Sequence, residues 1–163
     1  MKLLNTREGH GLVSLGLHWI VVIGIITQWV LAESEAVPLH QSLGITLLVL
    51  AVARLTWRLL NPRPAWPADM KPYEIGLARA VHAAFYLLLF AIPLSGWALA
   101  SVEEEPLNFF GWFDLPRFVV GSEDTLEELH EMLFNILVAL AALHVLGAAK
   151  HWFAGRSGRI ARS

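Results

Sequence analysis

Seven histidines stand in a chain that is 56% hydrophobic and only 16% charged. Their spacing carries the chemistry. His130 and His144 are 14 residues apart in one apolar block. On a helix that is two heptads, which keeps both rings on one face with a drift of ~20° per heptad. The rise between them is ~21 Å, less than a bilayer's thickness. His18 lies six residues past the start of the first apolar block, and His40 opens the second. If alternate blocks run in opposite directions, His40 is level with His130 and His18 is level with His144. Two neutral imidazoles facing each other across an apolar slot are what axial ligation of haem iron requires. The expected pairs are His18/His144 and His40/His130, one haem b in each tier. Gly16, Gly44 and Gly96 offer close approach to a flat macrocycle.

The competing chemistries are narrower. No Cys is present, which removes disulfides, thiolate zinc sites, iron–sulfur clusters and covalent c-type haem. A catalytic zinc site would need a third His at one level. Carboxylates are missing from the apolar blocks, which argues against a proton pump. A net charge of −2 gives no footing for nucleic acid. A lone His at a membrane boundary is more often an interfacial contact than a ligand, so the weight rests on four of them falling into two levels. His10 and His151 form a rival pair for the inner tier, disfavoured because both flank the charge-free stretches. His82 faces a propionate, a quinone or simply the interface.

The elements that must position these rings are transmembrane helices. Leu12–Leu31, Ala80–Val102 and Met132–Ala149 carry no formal charge. Each is long enough to cross ~30 Å of hydrocarbon. A fourth block, about His40–Leu60, contains Arg54 and Arg58, which snorkel toward an interface. The expected fold is all-α, a transmembrane four-helix bundle in a single domain over 1–163, with spans at about 12–31, 40–60, 79–102 and 129–153. Glu33–Pro38 is a tight polar turn, and Asn61–Pro67 is a Pro-rich connector. Glu103 to about Thr125 is an acidic, aromatic loop long enough for a short surface helix. Eleven Lys and Arg fall on the side of both termini and only Arg117 on the other, so the positive-inside rule puts both termini in the cytoplasm. Arg54, Arg58 and Arg79 are then the natural partners of the inner haem propionates, since guanidinium matches carboxylate bidentately.

The stretches Leu17-His18-Trp19, Leu39-His40-Gln41-Ser42-Leu43-Gly44, Val52-Ala53-Arg54-Leu55, Ala91-Ile92-Pro93-Leu94-Ser95-Gly96, His130-Glu131 and Leu143-His144 occur in this order across almost the whole chain. In order and spacing the sequence resembles the bacterial cytochrome b561 family of four-helix dihaem membrane proteins. The resemblance implies His18, His40, His130 and His144 as axial ligands. It also implies the bacterial inner membrane and ubiquinone as redox partner, with His151 and Trp152 near the quinone. The implied activity is that of an oxidoreductase or quinone-linked carrier, taking electrons from an outer-face donor such as superoxide or a redox protein. Two other readings stay open: a membrane-anchor cytochrome b subunit of a dehydrogenase or hydrogenase, and a transporter-like bundle without redox chemistry.

Overall fold

The computed structural model describes residues 3–6, 9, 11–34, 36–62, 64–66, 70–102, 107–118 and 120–160, with the backbone alone for 151–160. Four helices, α1 (Leu12–Glu33), α2 (Val37–Leu60), α3 (Pro72–Val102) and α4 (Glu123–Ile160), carry nearly all of it. A two-stranded hairpin, β1 (Asn108–Phe109) and β2 (Phe113–Asp114), joins α3 to α4. Each helix holds a window of mean hydropathy between 1.7 and 2.1. No more than 11% of any window is buried inside the protein, so most of each apolar surface needs lipid as its solvent. The chain is thus a multi-pass membrane protein with an all-α bundle.

The helix ends follow from local chemistry. Asn5 Oδ1 accepts the Gly11 N–H at 2.8 Å and the Ser14 hydroxyl at 2.7 Å, holding the start of α1. The indole Nε1 of Trp57 donates to Ser14 Oγ at 3.0 Å and ties α2 to α1 at the same end. Pro38 sits in the first turn of α2, where a missing N–H costs nothing. Helix α3 begins at Pro72, earlier than the charge-free stretch, because the Glu74 carboxylate accepts the Lys71 N–H at 3.0 Å. Helix α4 begins at Glu123, with Glu123 and Asp124 favourably placed in its positive first turn.

The short surface helix expected between Glu103 and Thr125 does not form within 107–118; the segment is a hairpin. Aromatic residues favour strands, and the turn places Phe110 at φ 50° and Gly111 at φ 79°. Two successive positive φ values are the type I′ pattern that reverses a two-stranded ribbon. The Trp112 N–H closes it on Phe109 O at 2.9 Å.

Helix α1 packs on α2, α2 on α3, and α3 on α4. Among the described residues α1 and α4 make no close backbone approach, and they meet through the rings of Trp29 and Phe134, whose centroids are 6.1 Å apart. Its centre is Val21, Ala51 and Leu89, backed by Ile25, Leu50 and Phe90. Close packing of α1 on α2 depends on Gly24, where a methyl group would lie 2.6 Å from Leu47 Cδ2.

Candidate haem-ligand site

At the hairpin end of the bundle, His40 of α2 and His130 of α4 face each other. Their ring centroids are 6.1 Å apart and their planes are inclined at 75°. His40 Nδ1 lies 3.2 Å from the Gln28 carbonyl of α1. The Gln28 side-chain amide returns a bond to the His40 carbonyl at 3.0 Å. His130 Nδ1 lies 3.1 Å from Ile92 O and 3.0 Å from Ser95 Oγ, both on α3. The Ser95 hydroxyl donates to Ile92 O at 2.8 Å, so its oxygen accepts from His130. With acceptors around each Nδ1, the proton of each neutral ring belongs there. Each Nε2 keeps its lone pair for another partner.

In spacing, the two rings suit a pair of imidazole ligands to one ion. A metal–imidazole bond is about 2 Å long, so two rings on opposite sides of one ion have centroids about 6 Å apart. The cavity at the rings has a volume of about 740 Å³, within the size range of cofactor sites. It touches all four helices, and Gly44, Gly96 and Phe134 contribute to its wall. Gly96 leaves room for the His130 ring, since a methyl group there would lie 3.0 Å from its Cε1. Gly44 is similarly close to Gln28 Nε2, at 3.1 Å. Among the described residues no three His, Cys, Asp or Glu side chains gather as a metal cluster. A two-ligand centre of the haem type therefore fits these residues, and a three-ligand zinc site does not.

The other end of the bundle is built differently. His144 is flanked by His82, at 5.7 Å between centroids, and by Phe85, at 5.4 Å. His82 Nδ1 is held 2.6 Å from Ala78 O. His18 accepts a bond at Nδ1 from Arg54 Nη2, at 2.9 Å, and stands edge-on to Trp19. Arg54 and Arg58 both approach the ring of Tyr86, at 6.0 and 5.4 Å. Arg79 is exposed on α3. Gly16 and Gly147, near His18 on α1 and His144 on α4, have open space where a methyl group would stand. The side chains of His151 and Trp152 lie outside the described residues.

Sequence reasoning missed three neighbours: Gln28, Ser95 and the closeness of His82 to His144. Gln28 had a signal, as an amide inside a charge-free span. Ser95 stood in the Ala91–Gly96 stretch that carries the resemblance, but serine is ordinary in membrane helices and nothing tied it to His130.

Comparison with known proteins agrees with this architecture. The model of the prokaryotic cytochrome b561 family matches residues 9–162. The chain is similar to cytochrome b561 homolog 2 of Escherichia coli (strain K12), with 34% identity covering 99% of this chain and 94% of that protein. It is 27% identical to the probable superoxide oxidase CybB of Yersinia pestis, covering 96% of each. It is 25% identical to cytochrome b561 homolog 1 of Escherichia coli (strain K12), covering 90% of this chain and 91% of that protein. Four apolar helices, an opposed pair of carbonyl-tethered imidazoles and a family match across almost the whole length lead to one conclusion: the chain belongs to the prokaryotic cytochrome b561 family of b-haem membrane electron carriers.

Proposed function

We propose that this protein binds two haems b and carries electrons across the inner membrane, between a donor at the hairpin face and the quinone pool. Both termini are assigned to the cytoplasm, from the distribution of Lys and Arg. The observation that carries the proposal is the His40/His130 pair, 6.1 Å apart with both Nδ1 atoms held by α1 and α3. Haem iron supplies reversible one-electron chemistry.

His40 and His130 hold the outer haem, and His18 and His144 hold the inner one. Gln28, Ile92 and Ser95 orient the outer imidazoles and raise their basicity through the Nδ1 proton. At the inner tier, Arg54 and Arg58 are half-buried cations that match propionate carboxylates. Ubiquinone meets the inner tier, in reach of His82 on α3 or of His151 and Trp152 on α4.

The charge at the outer mouth bears on the donor. Glu33, Glu127 and Glu131 line the cavity that holds His40 and His130. A superoxide anion, the substrate named for the Yersinia pestis relative, meets like charge there. A redox protein with a basic docking face meets opposite charge, and that donor class fits better.

A reduced-minus-oxidised spectrum with haem quantified per chain tests the proposal, on the parent protein and on His40→Ala and His144→Ala. The parent should hold two haems, and each variant should lose mainly one. A parent with a single haem, or variants that keep both, would overturn the two-tier reading.

A further inference from the structure

The hairpin between α3 and α4 does not stand away from the bundle; it folds back along it. Ser42 is five residues past the start of α2, about 7.5 Å along the helix axis. Its hydroxyl oxygen accepts the Phe110 N–H at 3.1 Å and lies 3.1 Å from Asn108 O. Ser42 is 1% exposed, so this joint is sealed. The return limb is tied to the other neighbour, in the last turns of α3. Trp97, five residues before the end of α3, donates its indole N–H to Pro116 O at 3.2 Å. Arg117 Nε donates to Ser101 O at 3.1 Å. Both limbs are therefore tied to the terminal turns of the membrane helices.

A loop there should be polar if water surrounds it. This one is not. From Leu107 to Pro116 the only formal charge is Asp114, and its Oδ1 accepts the Asn108 side-chain amide at 2.7 Å. Phe109 is the hub of an aromatic cluster, with ring centroids 4.8 Å from Phe110, 5.3 Å from Phe113 and 6.4 Å from Trp112. The rings around the hub point outward. Trp112 is 80% exposed, Phe113 55% and Phe110 45%. Large aromatic rings left uncovered at the rim of a transmembrane bundle match the one solvent that is both apolar and hydrogen-bonding, the headgroup–acyl boundary.

We infer that this hairpin is a lipid-interface finger, with Trp112, Phe113 and Phe110 seated in the boundary layer of a phospholipid leaflet. Seating it there fixes the depth of the bundle. The same segment carries Leu107, which is 4% exposed and lines the His40/His130 cavity. The membrane-facing rings and one wall residue of the outer tier thus lie in a single short segment.

The absence of Cys makes the test direct. Trp112→Cys, and separately Phe113→Cys, are labelled with a nitroxide in the full-length haem-loaded protein and reconstituted into phosphatidylcholine/phosphatidylglycerol vesicles. Collision rates with oxygen, which concentrates in lipid, are compared with those of a water-soluble nickel chelate. Ile23→Cys on the exposed face of α1 and Asp124→Cys at the start of α4 give the lipid and water limits. Oxygen collisions several-fold above those of the chelate, between the two limits, are expected at both hairpin positions. Chelate access equal to that of Asp124→Cys would overturn the inference, as the hairpin would then stand in water. Protection from both reagents would also overturn it, showing the rings covered by protein.

Discussion

Gln28 and His40 bond to each other twice, in opposite directions. The Gln28 carbonyl accepts from His40 Nδ1 at 3.2 Å, and the Gln28 side-chain amide donates to the His40 carbonyl at 3.0 Å. This clamp joins α1 to α2 beside the outer tier and sets the tautomer of a proposed iron ligand. The Gln28 Oε1 atom is buried without a partner, so the residue is held at some cost. Gln28→Leu removes one amide bond, worth about 1 kcal/mol, and removes the unpartnered oxygen with it. Stability should change by less than about 1 kcal/mol in a thermal melt. The midpoint potential of one haem should shift while the other holds. A large loss of stability with both potentials unchanged would assign Gln28 to packing alone.

Gly96 makes a sterically sharper prediction. A methyl group there would lie 3.0 Å from His130 Cε1 and 3.3 Å from Nδ1, on the edge tied to Ile92 and Ser95. Gly96→Ala must displace that ring, at a cost of about 1–3 kcal/mol for overpacking. Haem content should fall toward one per chain, with the surviving signal matching that left in His40→Ala. Ser95→Ala is the milder companion, because Ile92 O still holds Nδ1. It should cost about 0.5–1.5 kcal/mol and leave both haems bound.

Arg54 contacts both His18, at 2.9 Å, and the Tyr86 ring, at 6.0 Å. A planar guanidinium serves two such partners where an ammonium serves one. Arg54→Ala should lower the occupancy of the inner haem and leave the His40/His130 haem intact. Arg54→Lys should recover only part of that loss, read from the reduced-minus-oxidised amplitude. Full recovery with Lys would reduce Arg54 to a source of positive charge.

These contacts show where the sequence stopped being informative. The spans were legible because hydrocarbon forbids charge over ~20 residues, as in Leu12–Leu31 and Ala80–Val102. The helix ends moved where local bonds outweighed that pattern, as at Lys71–Glu74 before α3. The level of His40 with His130 was legible because helical rise is nearly constant. Rotation about each helix axis was not, since all four helices are apolar on most sides. That is why His82, nearly three turns inside α3, emerged as the ring neighbour of His144. The hairpin was hidden because Phe109-Phe110-Gly111-Trp112-Phe113 mimics a membrane-surface helix in composition, and only the positive φ values at Phe110 and Gly111 set it apart.

The inner tier has two imidazole candidates opposite His144, and they differ in chemistry. His82 has its Nδ1 at a carbonyl, 2.6 Å from Ala78 O, and its ring already lies 5.7 Å from that of His144. His18 accepts from Arg54 at Nδ1, which puts the proton of a neutral ring on Nε2. Iron ligation by His18 through Nε2 therefore requires Arg54 to release Nδ1, and a propionate carboxylate is the partner that would draw the guanidinium away. On the proposed assignment, His18→Ala removes the inner haem. His82→Ala keeps it, with a shifted potential because a ring packed on His144 is lost. Haem content and potentiometric titration of the two variants read this directly. Loss of haem from His82→Ala, with full retention in His18→Ala, would move the inner pair to His82/His144 and leave the Arg54–His18 bond as a clamp between α1 and α2.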